Sequence, residues 1–267
     1  MLANIQLVLT SSMNRFFVEK YSYKASALAF TTLLTLVPMF TITVYVLTIF
    51  PFFDEVFTLA KHYVFLNFVP TSSVVIEQYL EQFSQQANRL PMTSMLILVV
   101  SILMLVALIK NIINEIWGSP GYKNIFLTIA HYIIILSMPV LIAIGIYISY
   151  YFFNSYWISS AANTLGLELV LSFLLPIFIN TFSFSFLYLL TPSCPVKFLD
   201  GVFGGLVAAL LFEIAKTGFV FYIKLFPSYE LIYGALGVIP IFLIWLYISW
   251  SIIIYGAIIS NNSSGKK

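Results

Sequence analysis

The chain has 267 residues, 61% of them hydrophobic and only 8% charged, with a net charge of +2. A water-soluble domain carries about 25% charged residues, so this composition excludes a chain solvated mainly by water. The small, scattered positive charge excludes the dense basic surface that a nucleic-acid partner requires, and the one cysteine, Cys194, excludes an intrachain disulfide or a multi-thiolate zinc site.

The N-terminal stretch "MLANIQLVLTSSMNRFF" lacks a basic start and its apolar run is short, so no cleavable signal is expected. Leu2, Ile5, Leu9, Met13 and Phe16 recur at helical spacing and predict an interfacial helix. Six apolar runs follow, each long enough to cross a bilayer of about 30 Å as a helix. They are Ala25 to Phe53, Met92 to Ile109 closed by Lys110, Ile125 to Phe153, Leu169 to Leu190, Gly201 to Ile223, and Ala235 to Ser260. Lipid offers no hydrogen bonds to bare backbone, so runs of this length should be helices. The fold class expected is therefore an all-α membrane protein, a bundle of six transmembrane helices forming a single integral membrane domain over residues 1–267.

Between the first two runs lies the one sizeable extramembrane piece, residues 54–90. Ile76, Leu80, Phe83, Ala87 and Leu90 recur at helical spacing, with Glu77, Gln78, Glu81 and Gln82 filling the other face. Short amphipathic helices lying over the outer face are expected here, either as a cover packed on the bundle or as a surface for an envelope protein partner. After the second run, Lys110, Asn111, Asn114 and Glu115 continue the helical spacing before a turn at Gly118 to Gly121. Structural roles are expected for them.

Orientation follows from Lys and Arg. With six spans, Arg15, Lys20, Lys24, Lys110, Lys123, Lys197, Lys266 and Lys267 fall on the side of the termini, against Lys61, Arg89 and Lys224 opposite. Both termini are therefore expected in the cytoplasm. Prolines mark four runs, Pro38, Pro139, Pro176 and Pro240, and each removes a backbone donor and makes its helix a hinge candidate. "TLVPMFTIT" in the first run resembles "FLLPIFINT" in the fourth, and "IYISY" in the third resembles "LYISW" in the sixth. Two sets of three spans related by inverted topology would produce that pattern, and so would chance similarity between apolar helices.

The fifth run carries the most informative residues. Gly201, Gly205, Ala209 and Glu213 succeed one another at four-residue steps, and small residues at that spacing admit a second helix at close range. Lys216 lies about 60° round the helix from Glu213, and Lys224 returns to within about 20° of it. Counted from Gly201, Glu213 lies roughly 18 Å into the apolar slab. Three readings fit these charges: a structural pair with Lys216 extending outward, a polar pocket in which Lys216 and Lys224 meet an anionic head group or a coupling ion, or a span boundary that leaves the pair in water.

Catalytic templates fail on chemistry. His62 and His131 are the only histidines and fall on opposite sides of the expected membrane arrangement, or nearly so, so no nuclease-type metal site is expected to assemble from them. "GVFGG" lacks the Lys-Ser/Thr ending of a phosphate loop, and no serine has an identifiable base. A non-enzyme without cofactor or metal is expected.

Three segments together, "KASALAFTTLLTLVPMF", "GVFGGLVAALLFEIAKTGFVFYI" and "IYGALGVIPIFLIWLYISWSIIIYGA", resemble the YihY/BrkB family of bacterial inner-membrane proteins, once labelled ribonuclease BN. The resemblance implies a six-helix protein of the bacterial inner membrane, linked in some members to the cell envelope and virulence. It carries over Glu213 and Lys216, together with Tyr233, Gly234, Pro240, Trp245 and Tyr247. Where the family commonly continues with an acidic residue, Ile258 and Ile259 follow Ala257 here, so a role for that acid is not expected. No tail domain is expected after "NNSSGKK". The function expected is a transporter or flippase-like protein for an envelope lipid or amphiphilic anion, with membrane lipids as partners and Glu213, Lys216, Lys224 and Tyr233 lining its pocket. The alternative is a noncatalytic scaffold that holds an envelope partner through the outer loop. Oligomeric state is not legible from the sequence.

Overall fold

A computed structural model describes residues 2–48, 92–120, 168–225 and 238–264, with the helical positions Phe126, Ile129, Tyr132 and Ile133 between them. The described residues form six helices and no strand: α1 (Leu2–Val18), α2 (Tyr21–Thr48), α3 (Met92–Ile116), α4 (Glu168–Leu190), α5 (Phe198–Leu225) and α6 (Val238–Ser263). The outer loop 54–90 and most of the expected third run, with His131 and Pro139, lie outside the described residues. Among the described residues, three stretches are long and apolar enough to cross a bilayer: Val99–Ile116 of α3, Phe198–Ile223 of α5 and Ile239–Ser263 of α6. The helix of the second run extends past Lys110, as the helical spacing of Lys110, Asn111, Asn114 and Glu115 leads one to expect. It continues to Ile116, with Lys110 buried and its ammonium 5.3 Å from the Tyr132 ring centroid.

The packing runs α4 on α5, α5 on α6, α6 on α2 and α2 on α3, with α1 laid against α6 and α2. Between helices in lipid the attraction is mainly van der Waals contact, which rewards small residues that let backbones approach. Two such seams meet on α5. Toward α4, a Cβ on Gly201 would overlap Leu189, and one on Gly205 would fall on Ser185 Oγ and within 3.0 Å of the Thr181 carbonyl oxygen. Toward α6, a Cβ on Gly204 would stand 2.6 Å from the Gly256 carbonyl oxygen, and Gly256 itself faces Ala208 and Tyr188. Tyr188 is fully buried there and donates its hydroxyl to the Ile253 carbonyl at 2.7 Å.

Aromatic rings fill the core further along α5. Phe212 meets Phe184 of α4 and Trp245 of α6 edge-on, at centroid distances of 5.8 and 5.4 Å, and Phe219 lies 5.0 Å from Trp245. Contacts of this kind contribute about 0.5–1.5 kcal/mol each beyond simple packing. Between α6 and α2 the link is polar: Trp250 Nε1 donates to Thr32 Oγ1 at 2.9 Å.

One end of the bundle is bound by Arg15. Its guanidinium reaches Glu19 on its own segment, Asn261 and Asn262 on α6 at 2.8 and 3.2 Å, and the Ile116 carbonyl that ends α3 at 2.9 Å. A cation beside an unsatisfied carbonyl at a helix C-terminus is favourable on dipole grounds as well. Asn262 also donates to Ser12, and Tyr255 donates to the Leu9 carbonyl. The N-terminal helix is thus docked through Leu9, Ser12, Arg15 and Phe16, while Met13 of the expected apolar face is exposed. At the same end Lys24 pairs with Glu115, and the Ser193 backbone N–H donates to Asn114 Oδ1 at 2.7 Å. The start of α2, the end of α3, the α4–α5 connection and the end of α6 therefore share one face of the molecule.

Two left-handed residues make the turns there. Gly118, with φ of 61°, closes α3 in a Schellman arrangement, its N–H bonding to the Glu115 carbonyl and the Ser119 N–H to the Asn114 carbonyl. Lys20, with φ of 57°, turns the chain between α1 and α2 without that freedom from a side chain.

Candidate functional site

The opposed charges of α5 are held across the seam with α4. Lys216 Nζ lies 2.7 Å from Glu213 Oε2, one helical turn away, and the other carboxylate oxygen, Oε1, accepts from Asn180 Nδ2 of α4 at 2.9 Å. Each carboxylate oxygen thus has its own donor, which fixes the plane of the group. The pair is sheltered rather than sealed: 17% of the Lys216 side chain and 16% of the Glu213 side chain are accessible. Asn180 is 1% exposed, and its carbonyl oxygen Oδ1 has no hydrogen-bond partner among the described residues.

Helical register explains the placement. On α5 the buried arc carries Gly201, Gly205, Ala209 and Phe212 toward α4, while Leu206, Leu210, Ile214 and Phe221 face outward. Glu213 falls at the border of the two arcs and Lys216 just inside it. On α4, Asn180 comes one turn after Pro176, whose ring removes the donor that the Ser172 carbonyl would otherwise accept. A polar side chain and a weakened backbone ladder therefore occur together where α4 meets the charges.

The energetics decide how such a pair is tolerated. A single charge near the middle of a bilayer costs about 3 kcal/mol on insertion scales. Mutual attraction and the Asn180 bond offset part of that for Glu213 and Lys216, but a buried ion pair seldom gains on an apolar substitute of equal volume. Retaining one between apolar helices therefore has no packing explanation.

The other expected residues are placed as follows. Gly201, Gly205 and Ala209 are buried on α5, the first two directly against α4. Pro176 lies inside α4, Pro38 belongs to the α2 backbone, and Pro240 sits in the first described turn of α6. Lys224 belongs to the last turn of α5, with its side chain outside the described residues, as are Tyr233 and Pro139 altogether. Trp245 is buried in the aromatic core, whereas Tyr247 is exposed. Cys194 is half-buried in the α4–α5 connection. Among the described residues no group of three His, Cys, Asp or Glu is placed to hold a metal ion.

Asn180 is the participant that sequence reasoning did not assign. Its one signal was a lone amide in an apolar run close to a proline, and pairing it with Glu213 needed the register between two helices. The second small-residue seam, Gly204, Ala208 and Gly256, was missed because only the four-residue step leading to Glu213 was followed.

Comparison with known proteins places the chain. Residues 13–265 match the family model described as Virulence factor BrkB. The chain is similar to a UPF0761 membrane protein of Aeromonas salmonicida, 36% identical over 91% of this chain and 84% of that protein. It is also similar to one of Cronobacter sakazakii, 38% identical over 87% and 80%, and to one of Legionella pneumophila, 34% identical over 93% of this chain but 60% of the longer relative. No solved structure matches it. A lipid-compatible helical chain whose match to one family model runs almost end to end belongs to the Virulence factor BrkB family of membrane proteins.

Proposed function

We propose that the protein is a non-enzymatic transporter or flippase-like protein of the bacterial inner membrane, acting on an envelope lipid or amphiphilic anion. The observation that carries this is the chain Asn180–Glu213–Lys216, an oriented charge pair held between apolar helices yet partly accessible. An intramembrane ion pair facing a seam between helices is the usual setting of a substrate or coupling-ion site. Six spans with cytoplasmic termini accord with the excess of Lys and Arg on the terminal side, and with the shared face on which Arg15, Asn114, Ser193 and Asn261 meet. An inverted pair of three-span halves accords with Pro38 in α2 and Pro176 in α4, which lie in matching sequence contexts.

The test is reconstitution into vesicles with fluorescent lipids, scored for leaflet exchange. The double variant Glu213→Gln with Lys216→Met should accumulate in the membrane and lose exchange. Undiminished exchange by that variant would remove the site from the mechanism and favour the outer-loop scaffold, which instead expects sensitivity at Glu77, Glu81 or Phe83.

A further inference from the structure

The Asn180 amide is half used. Its Nδ2 donates to Glu213 Oε1 at 2.9 Å, whereas Oδ1, on the same planar group of a residue 1% exposed, has no partner among the described residues. A buried carbonyl oxygen left in that condition is costly. An ionised carboxylate offers acceptors only and has nothing to give this oxygen, but a protonated one carries a donor.

In the arrangement seen, Glu213 behaves as the ionised group: Oε1 accepts from the amide and Oε2 faces Lys216 Nζ at 2.7 Å. The two side chains are 16% and 17% accessible, so a proton from water can reach them. When that proton adds to Oε2, the oxygen loses its charge and gains an O–H bond. Carboxyl and amide then match as a pair, with Nδ2 still donating to Oε1 and the Oε2 hydroxyl donating to Oδ1. Both groups turn about terminal torsions with broad wells, so the exchange is one of side-chain rotation. One proton is taken up, the contact between Glu213 and Lys216 breaks, and Lys216 keeps its own proton and its remaining interactions.

On α5 the carboxylate faces Lys216, with Asp200 in the first turn and Tyr222 and Lys224 toward the end. Among the described residues, the helices packed on α5 carry Glu168 at the first position of α4 and the buried Tyr188 near its end, and Tyr247 and Tyr255 on α6. Charges beyond these set the pH at which the proton binds. The exchange of partners itself needs only Glu213, Asn180 and Lys216, whatever else Lys216 touches.

Resting on the proposed role of this pair in transport, we propose that Glu213 is a proton-binding site, with Asn180 Oδ1 as the acceptor that holds the bound proton and release of the Lys216 contact as its effect on the site. The coupling ion is thereby a proton.

The experiment records difference infrared spectra of the detergent-purified full chain between alkaline and acidic buffer. One component of the protonated-carboxyl band that grows on acidification should be missing in Glu213→Gln and should stand at higher frequency in Asn180→Leu, where the acid lacks both amide partners. Should the Gln variant fail to accumulate, the displacement in Asn180→Leu is read alone. Acid spectra that coincide between the unaltered protein and Glu213→Gln, or a band that keeps its frequency in Asn180→Leu, overturn the inference. In vesicles under an imposed proton gradient, the unaltered protein should exchange fluorescent lipid several times faster than without one, and Glu213→Gln should lose that response. Exchange that ignores the gradient overturns proton coupling and leaves the transport reading standing. A Glu213 proton in the spectra with no leaflet exchange removes the transport reading and keeps the proton site, and the absence of both removes both.

Discussion

Asn180 on α4 donates to Glu213 on α5 across 2.9 Å, and this is the hydrogen bond that gives a carboxylate on an apolar helix a fixed direction. Replacing Asn180 with Leu keeps the volume close but strands one oxygen of a charged group. The expected loss is about 1–2 kcal/mol of helix association. A lowered thermal midpoint in detergent checks it, and an unchanged midpoint would show that the bond contributes nothing.

Gly205 and Gly218 lie on one helix in opposite situations. A methyl at Gly205 meets Ser185 Oγ, the Ser185 backbone nitrogen and the Thr181 carbonyl oxygen, so the helices must part. Gly205→Ala should cost about 1–3 kcal/mol, as overpacking does elsewhere. Gly218 is exposed with open space around it, and Gly218→Ala should be neutral or stabilising by about 0.5–1 kcal/mol. Thermal unfolding of the two variants side by side tests the seam, and equal effects would refute it.

Arg15, near the end of α1, reaches the ends of α6 and α3 through two nitrogens of one planar group, Nη1 donating to Asn261 and Asn262 and Nη2 to the Ile116 carbonyl. Arg15→Met should release α1 from α6 and α3, with a loss of about 2–3 kcal/mol local to that end. Arg15→Lys should rescue little, because a single ammonium does not reproduce the fork. Limited proteolysis within residues 2–18, compared among the three proteins, reads the docking directly.

Tyr21 stands ahead of the apolar run that begins at Ala25 and is fully buried. Burial raises its phenol above the ordinary value of 10.0, and the Glu19 carboxylate raises it further. Above the unfolded value the unfolded chain loses this proton while the folded one keeps it, so stability falls as pH rises past about 10. Below that pH the neutral phenol is common to both states and has no effect. Tyr21→Phe should flatten the alkaline limb of the stability profile without changing the neutral one, and an identical alkaline limb would count against the assignment.

Cys194 lies in the α4–α5 connection, on the face shared with Arg15 and Asn261. With cytoplasmic termini, an impermeant thiol reagent should label it in inverted vesicles and leave it untouched in intact spheroplasts. The reverse labelling would invert the orientation.

Much of the fold was legible because lipid enforces a simple rule on backbone. The runs at Leu169 to Leu190 and Gly201 to Ile223 differ from α4 and α5 by a few residues at their ends. At the second run Lys110 closes the purely apolar stretch, while the helical spacing of Lys110, Asn111, Asn114 and Glu115 already pointed to a helix that continues beyond it. In the structure the ammonium lies over the Tyr132 ring and the helix goes on for another turn and a half. Half of the candidate site was legible too, as Glu213 and Lys216 share one helix and their spacing is intrinsic to it.

Composition and periodicity dictated a lipid-solvated, helical chain with an opposed charge pair in its fifth apolar run, because solvation by lipid and the 3.6-residue turn act on each segment separately. The partner of that pair was decided only by tertiary packing. Gly205 against Ser185 sets how near α5 comes to α4 and at what register, and that register alone brings the Asn180 amide to the Glu213 carboxylate and leaves its own oxygen unpartnered among the described residues.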